Sequence, residues 1–285
     1  MELGCSVVTP LSPHPHTHTV VFLHGRGDTS QNMADALLRW TRDSRGRPLV
    51  DAFPSVRWVF PQAEPRLAET LGEVWPQWFD IWNTLDMTDR EDLQAFGLRG
   101  SVASIAKIVR REARSVGGMH RVVLAGVSQG GATAVHTLLH LDGKPEGGEV
   151  EEIEDETAAP PPKKLCALMV FSSWLPFPGG SLDETREVLG LELLAPRREP
   201  SEGAEEGEVD NQDEVVKNTP AFLGHNSDDP LVFVEFGRQL RDGLKSFGMD
   251  VQWREYNKGG HWINVPDGVN DAIEFLIAQG VPVAK

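Results

Sequence analysis

With 285 residues, 40% of them apolar, the chain can hold one large domain or two small ones around a sizeable buried core. Its net charge of −16 is local: residues 146–156 hold seven acids and no base, residues 199–214 hold eight and no base, and the remainder is left near −1. There is no basic stripe, no apolar run near the ~20 residues of a membrane span, and no basic stretch followed by an apolar one at the start, which argues against nucleic-acid binding, membrane spanning and a secretory signal.

In chain order, the first strand-like run covers residues 19–24 and stops at Gly25. Ahead of it His14, His16 and His18 alternate and would share one side of an extended segment, but this alternation alone is a weak signal for a metal, and none is expected. A second strand is predicted at 56–60, ending at Pro61, and Trp75, Trp78, Phe79 and Trp82 cluster beyond it. Residues 98–114 place Val102, Ile105, Ala106 and Val109 at three-and-four spacing, which predicts an amphipathic helix. Residues 121–127 form a short continuous apolar run of the kind buried on both faces of a parallel sheet. A small-residue helix at 131–141 follows, then strands at 165–171, 221–224 and 251–256 and helices at 231–247 and 269–279. Strands alternating with crossover helices, without an internal repeat, predict one α/β domain spanning 1–285, with a mostly parallel central sheet flanked by helices. Two acidic stretches, 142–164 and 197–217, hold too few apolar residues to offset the cost of chain ordering and are predicted to be disordered insertions.

The run 121–127 leads into Gly126-Val127-Ser128-Gln129-Gly130, a G-x-S-x-G pentapeptide between a strand and a helix. That context is a nucleophile elbow: the serine sits on a tight turn, lifted above the sheet at a helix N-terminus. A serine hydroxyl needs a base, and the histidines downstream are His136, His140, His225 and His261. His136 and His140 belong to the helix after the elbow and His225 ends a strand. His261, in a glycine loop between the last strand and the last helix, is the expected base. The acid should come from the loop after a late strand, where Asp228 and Asp229 both qualify by position. The oxyanion donors are expected to be the backbone N–H groups of Gln129 and of Arg26, in the loop after the first long strand.

The stretches 22–29, 78–81, 126–132, 172–176, 229–232 and 260–261 occur in an order that resembles the acyl-protein thioesterase/carboxylesterase (phospholipase/carboxylesterase) family of α/β-hydrolases, here in a fungal-type form with acidic insertions. The resemblance implies an α/β-hydrolase fold and puts the triad on Ser128, Asp229 and His261, with Asp228 at a variable position. Asn226-Ser227 and Trp262 depart from the family pattern. The resemblance also implies an acyl groove bordered by Trp75, Trp78, Trp174 and Leu175, although core packing accounts equally well for Trp78 and Trp82.

The expected activity is that of a serine hydrolase cleaving thioesters or esters, without cofactor, on acylated proteins, lipids or small esters. The alternatives are a small-molecule carboxylesterase or lysophospholipase, and a non-catalytic binding protein on the same fold. Two cysteines, Cys5 and Cys166, make no disulfide framework, and a cytoplasmic location is expected, with transient membrane-surface contact left open.

Overall fold

A computed structural model describes residues 2–141, 162–191 and 213–284. Its strands and helices run in the order β1 (Cys5–Val8), β2 (His18–Leu23), α1 (Ser30–Arg39), β3 (Val56–Pro61), β4 (Pro65–Ala68), β5 (Glu73–Pro76), α2 (Asp92–Val116), β6 (Val122–Val127), α3 (Gln129–Leu139), β7 (Ala167–Phe171), α4 (Leu182–Glu187), α5 (Glu214–Asn218), β8 (Ala221–Asn226), α6 (Val234–Ser246), β9 (Val251–Tyr256) and α7 (Asp267–Ala278). Seven strands make one sheet in the order β1-β3-β2-β6-β7-β8-β9. Only the edge strand β1 is antiparallel; the other neighbours pair in parallel. Strands β4 and β5 form a separate hairpin.

The period of two along each strand divides the apolar residues between two cores. On β2, Val21 and Leu23 join the core that α2, α3 and α6 cover, while Val20 and Phe22 face the core under α1 and α7. On β6, Val122 and Leu124 go to the first core, and Val123, Ala125 and Val127 to the second. Covering both faces buries β6, β7 and β8 at every position, which explains their continuous apolar runs.

Helix α2 begins at Asp92, six residues before the predicted start. Its first turns carry Gly97, an unfavourable helix residue kept by close packing: a Cβ there would lie 2.6 Å from the Phe79 Cα. The helix ends at Gly117, whose left-handed φ of 80° suits glycine at a helix terminus.

Strand β1, the β4–β5 hairpin and helix α1 were not predicted. Helix α1 is held at its start by Thr29, whose hydroxyl accepts the Asn32 N–H at 3.1 Å. The predicted disordered insertions fall on 142–161 and 197–212 outside the described residues. At the end of the second one the expectation is corrected: residues 214–218 form helix α5, because Val215 and Val216 are both fully buried in the core. Among the described residues, no helix is long and apolar enough to cross a membrane.

Parallel strands bring their C-terminal ends to one edge, so the loops after β2, β6, β7, β8 and β9 meet there, where ligands bind in open α/β sheets.

Candidate active site

The loop between β6 and α3 turns at Ser128, with φ 55° and ψ −127°. This is a strained backbone for a residue with a Cβ, sustained only where its surroundings over-determine it. The Ser128 N–H donates to the Phe171 carbonyl at 2.9 Å, and its own carbonyl accepts from the Ala132 N–H at 3.1 Å and the Ser173 hydroxyl at 2.7 Å. Glycine is required at Gly130, where a Cβ would come within 2.4 Å of the Leu23 carbonyl oxygen. The elbow therefore nests against the end of β2, and half-buried Ser128 stands at the N-terminus of α3.

Gln129 opens that helix, so its N–H has no partner within it. Its fully buried carboxamide accepts the Trp78 N–H at 2.8 Å and donates to the Phe79 carbonyl at 2.7 Å, which ties the elbow to the neighbouring loop. Across from it, the Arg26 N–H makes no backbone hydrogen bond among the described residues. The Arg26 side chain is pinned: Nε donates to Gln77 Oε1 at 2.7 Å, Nη2 to Asp80 Oδ1 at 3.0 Å, and the guanidinium stands 5.6 Å over the Trp75 ring. Below this loop His24 is buried, with Nδ1–H donating to the Gly25 carbonyl and Nε2 accepting the Ala63 N–H. The backbone N–H groups of Arg26 and Gln129 thus have no backbone partner among the described residues, while both side chains are fixed by their own hydrogen bonds.

His261 lies on the loop after β9 and Asp229 on the loop after β8. The imidazole Nδ1–H donates to both oxygens of Asp229, at 2.8 and 3.0 Å. The Asp229 side chain is fully enclosed, and the N–H groups of Leu231 and Val232 donate to its Oδ1 at 2.9 and 3.0 Å. Burial alone would raise this carboxyl, but the hydrogen bonds from His261, Val232 and Leu231 outweigh it and hold Asp229 below the usual carboxylate range. Asp228 instead accepts the Gly260 N–H at 2.8 Å. Geometry thus separates two aspartates that spacing left equivalent: one faces the imidazole and the other grips its loop. Among the described residues no hydrogen bond joins the Ser128 hydroxyl to His261, so the imidazole is anchored from its acid side alone.

Asn226, at the end of β8, was missed as a functional candidate. Fully buried, it donates from Nδ2 to the carbonyls of Gly260 at 2.9 Å and Trp262 at 2.7 Å, and its Oδ1 accepts from Asn264 at 3.0 Å. One carboxamide therefore clamps the chain on both sides of His261. The signal was present in the sequence, as the departure of Asn226-Ser227 from the family pattern. Gly259, at φ 150°, accommodates the clamp; a Cβ there would meet Asn226 Oδ1 at 2.5 Å. His225 donates from Nε2 to the Val232 carbonyl at 2.8 Å and lies 3.5 Å from Asp229, backing the acid from within the core.

The expected acyl contacts need correction. Trp78, Trp174 and Leu175 are 1%, 2% and 6% exposed, so they support the site from beneath and offer no open surface to a substrate. Trp78 is fixed there by its indole N–H on the His24 carbonyl at 2.8 Å, and Trp174 by an edge contact with Phe79. Trp75 is half-buried and packs on Gly27, beside the Arg26 loop.

The chain is similar to known proteins over most of its length. The family model described as Phospholipase/Carboxylesterase matches residues 4–148, just over half of the chain and the half that holds Arg26, Ser128 and Gln129. A protein of Neurospora crassa named acyl-protein thioesterase 1 is 28% identical over 94% of this chain and 88% of its own length. One of the same name from Cryptococcus neoformans is 27% identical over 80% of this chain and 73% of its own. The crystal structure of Zea mays acyl-protein thioesterase 2 superposes with a TM-score of 0.67 at 22% identity, covering 97% of this chain and 98% of that one. The strand order, the strained serine between β6 and α3, and the family match together place this chain in the phospholipase/carboxylesterase family of α/β-hydrolases.

Proposed function

We propose that this family member hydrolyses carboxylic thioesters and oxyesters through an acyl-enzyme, with Ser128 as nucleophile, His261 as base and Asp229 as the group that orients it. The observation that carries the reading is the double hydrogen bond from His261 Nδ1 to the enclosed, ionised Asp229, made from a loop at the same sheet edge as the strained Ser128. With Nδ1 protonated and held, Nε2 keeps its lone pair and accepts the serine proton. Ser128 Oγ then bonds to the acyl carbon, and the N–H groups of Arg26 and Gln129 stabilise the negative oxygen. The imidazolium returns its proton to the departing thiolate or alkoxide as the acyl–S or acyl–O bond breaks. Water repeats the sequence on the acyl-serine and releases the acid. No step calls for a metal or cofactor.

The relatives named acyl-protein thioesterase support an acylated protein as substrate. Exposed apolar residues support it too: Leu231 and Phe233, 53% and 40% exposed, lie on the loop that carries Asp229, and Trp75 flanks the oxyanion loop. Each acyl methylene buried against such residues contributes about 0.8 kcal/mol. The two free cysteines fit a cytoplasmic enzyme.

The test is fluorophosphonate labelling of wild type and S128A, with the modified peptide mapped, followed by turnover of thioesters and oxyesters from acetyl to octanoyl. Labelling confined to Ser128 and efficiency rising with chain length are expected. A preference for acetyl oxyesters would favour a small-molecule carboxylesterase. A folded protein that takes no label would be a binding protein built on this fold.

A further inference from the structure

At the edge of the sheet opposite Ser128, the starts of three neighbouring parallel strands gather basic side chains with no acid among the described lining residues. His18 opens β2, His120 and Arg121 precede β6, and Lys164 precedes β7. With Thr17 and Gln279 they line an open cavity of about 440 Å³, and no carboxylate is among its described lining residues. Arg121 and Lys164 have no ion pair or side-chain hydrogen bond with any described residue, whereas the adjacent Lys163 pairs with Glu214 at 3.5 Å. His18 engages Thr17 Oγ1 through Nδ1 at 3.1 Å, and no described residue bonds its Nε2. Burial, then Arg121 and His120, push the His18 imidazole down to about 4; burial, Arg121 and Lys164 also lower His120. The two imidazoles are thereby held toward their neutral form, and the positive charge of the cavity rests on Arg121 and Lys164, on a chain whose net charge is −16.

We propose that this cavity binds a multivalent oxyanion of the phosphate class, anchored by Arg121 and Lys164 and hydrogen-bonded by His18, His120, Thr17 and Gln279. The guanidinium fork matches two oxygens of such an anion, and the ammonium meets a third as a point charge. The hydroxyl and carboxamide supply neutral donors, and the anion converts repulsion among the cations into attraction. Strand β6 separates this end from Ser128 by six residues, about 20 Å, so the ligand does not touch the reacting atoms.

Titration calorimetry of the full-length protein with inorganic pyrophosphate at low salt tests the site. Saturable one-to-one binding is expected, weakened about tenfold or more in R121A and in K164A and lost in the double variant. Unchanged ester turnover in those variants shows that they are folded. A second arm uses phosphatidylcholine vesicles doped with phosphatidic acid. Vesicle capture that depends on the same two residues assigns the phosphate to a lipid headgroup; pyrophosphate binding without capture assigns it to a free ligand. If neither probe binds, or if the double variant binds as wild type does, the proposal is overturned.

Discussion

Replacing Asn226 separates the clamp on the histidine loop from the triad itself. In N226A three hydrogen bonds vanish, to the carbonyls of Gly260 and Trp262 and from Asn264. The two carbonyls lose their partner in a site where Asn226 is fully buried, whereas Asn264 retains the Lys258 carbonyl at 2.7 Å. At about 1 kcal/mol for each net bond, with an added penalty for unsatisfied buried carbonyls, the loss comes to about 2–4 kcal/mol. N226D keeps the volume and the acceptor but turns the two donors into an anion facing carbonyls, so it should cost at least as much. Urea unfolding monitored by tryptophan fluorescence measures both variants against wild type. The kinetic effect follows from position: an imidazole displaced by a fraction of an ångström loses alignment with Ser128, so kcat should fall roughly 10–100-fold with little change in KM. The kinetics are read at a temperature where each variant is fully folded. Variants that are destabilised yet keep wild-type kcat would make Asn226 purely structural. Variants with wild-type stability and kcat would refute the clamp altogether.

Further substitutions probe neighbouring parts of the argument. R26A keeps the backbone donor but removes the bonds to Gln77 and Asp80; kcat should fall roughly tenfold, less than the 10²–10³ seen when an oxyanion donor is removed outright. A change in KM alone would instead make Arg26 a substrate contact. His136 is fully buried with Nε2–H on the Pro176 carbonyl, and burial pushes it down to about 3. The folded state therefore refuses a proton that the unfolded chain accepts near pH 6.5, and stability is present above that pH and falls as pH drops toward 3. Between pH 7 and pH 5 this residue should account for a loss of about 2 kcal/mol, absent in H136Q. Equal acid sensitivity of both proteins in urea unfolding would contradict that. Asp229, held below its ordinary value of 3.8, stays ionised above pH ~4 and carries the contact to His261, so D229N should lower kcat far more than D228N, which keeps an acceptor for the Gly260 N–H. Equal losses of kcat in the two variants would show that the contact to His261 does not distinguish the aspartates.

The sequence by itself determined the sheet's inner strands, because a strand covered on both faces must be apolar at every position, as the 122–127 segment is. It also determined the elbow, since Gly126 and Gly130 flank a serine at a strand-to-helix junction and no larger residue fits where a Cβ would come within 2.4 Å of the Leu23 carbonyl oxygen. The pattern was silent where it carries little periodicity: the four-residue edge strand β1, the β4–β5 hairpin, and the first turns of α2 around Gly97. Composition alone extended the second acidic stretch too far, because Val215 and Val216 disappear into the core through tertiary contact.

Other contacts of the candidate site follow from the tertiary structure. Spacing left Asp228 and Asp229 equivalent and the family resemblance favoured Asp229; the path of the loop after β9 sends His261 to Asp229 and the Gly260 N–H to Asp228. Trp78 and Trp174 read as acyl contacts in one dimension, yet packing under the elbow encloses them. The clamp by Asn226 spans 34 and 36 residues to its two partners. A hydrogen bond over such a separation leaves no periodicity to read; it exists only once parallel pairing of β8 with β9 has brought the two strand ends side by side.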